Sequence, residues 1–169
     1  MGIGNNGTQI ADELLRVSGR IRASGFDVDE AADISEVFMA DEALEAGTVV
    51  AFSSSTHEWN PRGVNATTSD VYQMSGVRKA KTSEEVFGVV TTYAGFVLGS
   101  SFATSTTGTT TSIALKGRVP VRVTNENGVI KRGDYLTVSS SQEGYAMLQK
   151  ENGRTIGRAL SDADRKSVV

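Results

Sequence analysis

The chain contains a single histidine, and this limits its chemistry more than any other residue does. His57 lies in Thr56-His57-Glu58-Trp59-Asn60-Pro61, which reads as a loop. A Ser-His-Asp triad would have to be built on this residue. A zinc centre of ordinary composition has no second histidine and no cysteine to use. The simpler reading is a surface histidine. Trp59 is the more interesting neighbour. A lone tryptophan among polar residues serves as a stacking platform for a sugar or as an interface anchor, unless it is tucked against a sheet. Gly2-Ile3-Gly4-Asn5-Asn6-Gly7 spells G-x-G-x-x-G, but that fingerprint must follow a strand and only Met1 precedes it. The carboxylates Asp27, Asp29, Glu30, Asp33, Glu36, Asp41, Glu42 and Glu45 could supply a glycosidase pair, yet no aromatic-lined groove accompanies them. Such a run reads as a solvated linker and face. Neither a cofactor nor a metal is expected.

The elements that would carry these residues are strands. The chain has 169 residues with a net charge of −3, 18 glycines and only two prolines, Pro61 and Pro120. This length suits one domain plus a short appendage. Lys and Arg are scattered, and the densest group, Arg78-Lys79-Ala80-Lys81, is too small for a nucleic-acid surface. No apolar run is long enough to cross a membrane, and no signal-peptide pattern follows Met1. Abundant Gly, Ser and Thr favour turns and Thr-studded strands over long helices.

An internal echo organises the domain. Leu44-Glu45-Ala46-Gly47-Thr48-Val49-Val50 is followed by Val86-Phe87-Gly88-Val89-Val90. Ile130-Lys131-Arg132-Gly133-Asp134-Tyr135-Leu136 is followed by Thr155-Ile156-Gly157-Arg158-Ala159-Leu160. Each half has a glycine turn, an apolar strand, and a second strand with glycine inside it, where glycine marks a bulge or a close backbone approach. The expected fold is mainly β: a compact domain of two related hairpin units. Strands are expected at 47–52, 86–92, 94–98, 112–116, 118–124, 134–138, 144–148 and 154–160. The stretch 53–83 reads as a surface insertion with a short hairpin near Val71–Met74, and 161–169 reads as a polar tail whose end could dock as an edge strand. Before the β-domain at 47–160, 27–46 reads as an acidic linker and domain entry and 1–26 as an oligomerisation or shaft-like segment, helical or extended. Within that segment Ile10, Leu14, Val17 and Ile21 recur at spacings of four, three and four, a stripe that must pack on the domain or on copies of itself.

Several stretches in this order carry a resemblance. They are Ala32-Asp33-Ile34-Ser35-Glu36-Val37-Phe38, Leu44 to Val50, Val86 to Val90 running on to Val97-Leu98-Gly99, and Leu115-Lys116-Gly117-Arg118-Val119-Pro120-Val121. Gly133-Asp134-Tyr135-Leu136, Gly144-Tyr145-Ala146-Met147 and Thr155 to Leu160 complete the set. Together they resemble the C-terminal domains of phage tail-fibre and neck-appendage proteins, both the autoproteolytic intramolecular-chaperone type and its non-cleaving relatives. The resemblance implies a β-rich homotrimer located in the virion and in contact with other virion proteins, and Trp59 with a Thr-rich loop at its periphery would be available to contact a host cell-surface glycan. Some members of that family cut themselves just before an Asp-x-x-Glu motif, using a serine ahead of the aspartate. Asp33 and Glu36 match the motif, and Ala32 stands where the serine would be. An alanine brings no nucleophile, so the resemblance implies a module that stays attached. A capsid or tail decoration protein is the alternative outside that family, and a self-cleaving chaperone domain is the alternative within it.

Overall fold

The computed structural model describes residues 32–59, 72–81, 86–99, 109–163 and 166–168. The stripe Ile10, Leu14, Val17 and Ile21 lies outside them, as does the side chain of Trp59. All the regular structure in these residues is strand: β1 (Asp33–Met39), β2 (Val49–Trp59), β3 (Tyr72–Lys79), β4 (Gly88–Thr91), β5 (Phe96–Leu98), β6 (Thr110–Gly117), β7 (Pro120–Arg122), β8 (Tyr135–Val138), β9 (Ala146–Leu148), β10 (Gly157–Arg158) and β11 (Lys166–Val168). Six strands form one sheet in the order β3-β2-β4-β6-β1-β5. A second sheet runs β10-β8-β9, and β11 pairs with β7.

The echo in the sequence is an echo in the hydrogen bonding. Gly47 and Gly133 both take a left-handed backbone, with φ of 81° and 94°, which glycine adopts without a side-chain clash. The Gly47 N–H donates to the Val90 carbonyl at 2.8 Å, and the Gly133 N–H donates to Ala159 at 2.7 Å. Val90 N–H donates to Thr48, and Ala159 N–H to Asp134, both at 2.9 Å. Phe87 N–H reaches the Val50 carbonyl at 2.9 Å, as Ile156 N–H reaches Leu136 at 2.8 Å. Gly88 pairs with Val50, and Gly157 with Leu136. The likeness extends to a third strand. Lys79 of β3 pairs with Val50 as Leu148 of β9 pairs with Leu136. Ala80 N–H donates to Val49, and Gln149 N–H to Tyr135, both at 2.9 Å. The two units are therefore three-stranded, β4-β2-β3 and β10-β8-β9, rather than simple hairpins. They meet through Gly144, which accepts the Val49 N–H at 2.8 Å and donates to Ala80 at 2.9 Å.

Alternation along the strands sends successive side chains to opposite faces of the large sheet. Val49, Ala51, Val89 and Ala114 face the second unit and share a core with Val121, Ile130, Leu136, Val138, Ala146 and Ala159. The opposite face carries Phe38, Val50, Val77, Val90 and Ile113. Phe38 meets Phe87 edge-on there, with ring centroids 4.9 Å apart, and Phe52 lies 4.1 Å from Phe87.

Three expectations are corrected. Asp33–Met39, within the stretch read as an acidic linker, is an interior strand paired on one side with β6 and on the other with β5. The stretch read as a surface insertion carries the rest of β2 and all of β3. His57 and the backbone of Trp59 accordingly belong to a strand and not to a loop.

Candidate functional site

β1 begins at the head of a cleft of about 750 Å³. Its walls come from the Glu45–Gly47 turn, the end of β4 with Tyr93, the Arg118–Arg122 stretch, and Leu160-Ser161 just after β10. The ends of the equivalent strands β4 and β10 therefore flank the same opening. Two backbone contacts fix Ala32-Asp33 at its rim: Arg118 N–H donates to the Ala32 carbonyl, and Gly95 N–H donates to the Asp33 carbonyl, each at 3.0 Å. Gly117, at φ 125°, packs directly against this peptide. On the rim, Arg122 pairs with Glu45, and its guanidinium carbon lies 4.7 Å from the centre of the Tyr145 ring.

Asp33 lines the cleft with only 5% of its surface exposed, and its Oδ2 has no hydrogen-bond partner. Glu36, three residues on, does not join it. The pairings set Asp33 opposite Gly117 and Glu36 opposite Ile113 and Leu98, and the strand alternation puts the two carboxylates on opposite faces. Within one chain, the Asp-x-x-Glu motif is not a paired acid.

The structure does gather a serine, a histidine and an aspartate. Ser55 Oγ donates to Asp41 Oδ1 at 2.5 Å. His57 Nε2 lies 3.2 Å from Ser55 Oγ and 3.4 Å from Asp41 Oδ1. A triad needs the carboxylate on one ring nitrogen and the hydroxyl on the other. Here both approach Nε2, and the serine hydrogen is spent on Asp41, so the cluster is not a relay. Its geometry comes from a bulge in which Ser53-Ser54-Ser55 lie opposite Gly76 between the pairs Phe52–Val77 and Thr56–Ser75. A β-carbon on Gly76 would come within 2.5 Å of both Asp41 Oδ1 and Ser55 Oγ. Burial pushes the Asp41 carboxyl upward, but Ser55, Ser53 and His57 outweigh it and hold the group below its ordinary range.

The acids after β1 act as latches, each to a different strand. Asp41 holds β2 through Ser55 and His57, Glu42 holds Lys79 of β3 at 2.9 Å, and Glu45 holds Arg122 of β7. The Lys79 ammonium lowers the Glu42 pKa, and Glu42 in turn raises that of Lys79. Among the described residues no group of three or more His, Cys, Asp and Glu side chains could hold a metal ion, and no helix is long and apolar enough to cross a membrane.

Together these features define an all-β module of two equivalent three-stranded units, with a cleft where the first strand enters. No protein-family model matches the chain, and no curated protein matches it. Among solved structures it is similar to the pre-mature bacteriophage phi29 gene product 12, with 16% identity and a TM-score of 0.53 over 79% of this chain and 20% of that one. It is also similar to the C-terminal fragment of bacteriophage phi29 gene product 12, with 14% identity and a TM-score of 0.50 over 80% of this chain and 98% of the fragment. The chain thus spans about a fifth of the pre-mature protein and nearly all of the fragment. At these identities the likeness shows a shared fold.

Proposed function

We propose that the chain is a structural, non-enzymatic module of a phage virion, of the tail-fibre or tail-appendage kind. It would work as a homotrimer that supports assembly or attachment to the host surface. The observation that carries this reading is the shared fold: the match takes in nearly the whole C-terminal fragment of a phage gene product. A second observation supports assembly with copies of itself. Among the described residues β5 is an edge strand, and all three of its side chains, Phe96, Val97 and Leu98, are apolar and exposed. Phe52, on the same sheet face as Phe38, is 46% exposed, and Leu98 is 52% exposed. Exposed apolar side chains along an edge strand favour pairing with another chain.

The test is the mass in solution at micromolar concentration. A trimer is expected, Leu98→Asp should shift it toward monomer with the fold intact, and Leu14→Asp should do so through the N-terminal stripe. A monomeric native protein would sink the reading. The similar structures include a pre-mature form and a C-terminal fragment, which favours a self-releasing domain as the second reading. Ala32 stands against that reading, because it lacks the hydroxyl such a cut would need.

A further inference from the structure

We infer that the groove between β4, β6 and β10 binds an acidic, extended polypeptide segment in which carboxylates alternate with apolar side chains. The inference does not depend on the assembly reading, which the mass in solution tests separately.

The groove has a volume of about 440 Å³, with Val86 to Val89 on the β4 side, Thr155 to Arg158 on the equivalent β10 side, and the Ala114–Val119 stretch between them. It holds three cations, Lys116, Arg118 and Arg158, and among the described residues no carboxylate lines it. Elsewhere in this chain of net charge −3, Lys79, Lys81, Arg122 and Lys131 each sit on a carboxylate. The Lys116 and Arg118 side chains are exposed and have no ion pair or hydrogen bond among the described residues. Arg158 is held in place without an acid: its Nε donates to the Gly133 carbonyl at 3.0 Å, and its guanidinium carbon lies 4.6 Å from the centre of the Tyr135 ring. Uncompensated charge of one sign in a groove attracts a ligand of the other sign, and a guanidinium matches a carboxylate with paired hydrogen bonds. The rest of the lining is apolar: Val89 and Val119 are buried, Val86 and Ile156 half-buried, and Leu115 and Leu160 exposed. A polyphosphate gains little from such walls, whereas a peptide that mixes carboxylates with apolar side chains uses both parts of the groove. The chain's own sequence holds a segment of this kind, Phe26-Asp27-Val28-Asp29-Glu30, and Ala32, two residues after it, is held by the Arg118 N–H at 3.0 Å.

The experiment is an amide chemical-shift titration of two forms of the full chain, native and Asp27→Asn/Asp29→Asn/Glu30→Gln. The probes are a capped Phe-Asp-Val-Asp-Glu peptide, its neutral counterpart Phe-Asn-Val-Asn-Gln, and inorganic tripolyphosphate. The acidic peptide should give saturable shifts confined to groove residues in the triple variant. Equal affinity in the native chain assigns the groove to a segment of another protein, and weaker binding there assigns it to residues 26–30 of this chain, which then compete. Adding Lys116→Gln and Arg118→Gln to the triple variant should weaken the peptide about fivefold or more, the combined worth of two exposed ion pairs, without lowering the melting temperature. Leu160→Asp, which changes the apolar wall at an exposed position, should weaken it too, and decides the matter should the charge variant fail to fold. No saturable groove shifts in either form, equal binding of the neutral peptide, or undiminished binding in these variants would overturn the proposal. So would tighter binding of tripolyphosphate, since the groove would then be a phosphate site.

Discussion

A β-carbon placed on Gly117 would lie 2.2 Å from the carbonyl oxygen of Ala32. It would also lie 2.5 Å from the Asp33 Cα, and the glycine holds φ at 125°, where side chains are strained. The clash is with backbone on β1 and cannot be relieved by turning a rotamer. Gly117→Ala should therefore cost roughly 2–4 kcal/mol, from overpacking and backbone strain combined. Denaturant unfolding measures this directly, and a loss under about 1 kcal/mol would mean that β1 can shift away from β6 at little cost.

Gly88 and Gly133 separate the two reasons a glycine can be needed. At Gly88 a β-carbon would lie 2.4 Å from Ile113 Cγ2 and 2.7 Å from the Ala114 carbonyl oxygen. Gly88→Val should lose about 1–3 kcal/mol although it improves β-propensity. At Gly133 nothing lies within 4 Å, so Gly133→Ala meets only the left-handed φ of 94° and should lose about 1–2 kcal/mol. Gly133→Asn should recover part of that loss, because asparagine tolerates this region, whereas Gly88→Asn should recover nothing. Melting temperatures of the four variants test the distinction.

The paired units are legible in the sequence because a left-handed turn before a strand leaves a visible mark, a glycine ahead of an apolar run, at both Gly47 and Gly133. β3 leaves no such mark. It faces a three-serine bulge across Gly76, which breaks the alternation that would announce a strand. β1 is hidden for a different reason. Asp33, Ser35 and Glu36 give it the look of a linker, and the strands that bury it lie far along the chain, as in the contact from Ser35 to Phe96 across 61 positions. The cleft shows the same divide. Ala32, Asp33, Arg118 and Leu160 all lie in stretches that carry the family resemblance, but nothing local says that they share a cleft, and with Tyr93 they meet only through the fold. The Asp41–Ser55–His57 cluster could have been found from His57 only by knowing that β2 extends through it.

Acid should loosen the turn that joins β8 to β9. Glu126 accepts hydrogen bonds from Ser139 Oγ at 2.5 Å, Ser141 Oγ at 2.9 Å and the Ser140 N–H at 3.1 Å. Burial pushes its carboxyl up, and these donors outweigh that and hold it below the ordinary range. A carboxyl whose pKa is depressed on folding contributes stability above the unfolded value of about 4.3 and loses it as pH falls through the folded value. The melting temperature of the native chain should therefore drop more steeply below about pH 4.5 than that of Glu126→Gln, which should already be less stable at neutral pH. Asp41 and Glu42 shift in the same direction, so the variant removes only part of the slope. Parallel pH profiles for the two proteins would show that the serines do not lower the Glu126 pKa on folding.

The bond between Ala32 and Asp33 should remain intact. Ala32 carries no hydroxyl, its carbonyl oxygen is held by the Arg118 N–H, and Asp33 and Glu36 face opposite sides of β1. Intact mass of protease-free protein should not change on prolonged incubation, and a fragment beginning at Asp33 would refute this. The sharper experiment restores the missing hydroxyl. With Asp33 and Glu36 on opposite faces of β1, a serine at this position would not meet both carboxylates of the motif, so Ala32→Ser alone should also leave the chain whole. Cleavage in Ala32→Ser that disappears in Ala32→Ser/Glu36→Gln would reverse that conclusion. It would mean that Glu36 reaches the bond after all, through a rearranged β1 or from a neighbouring copy, and that alanine at position 32 is the one change keeping the module attached.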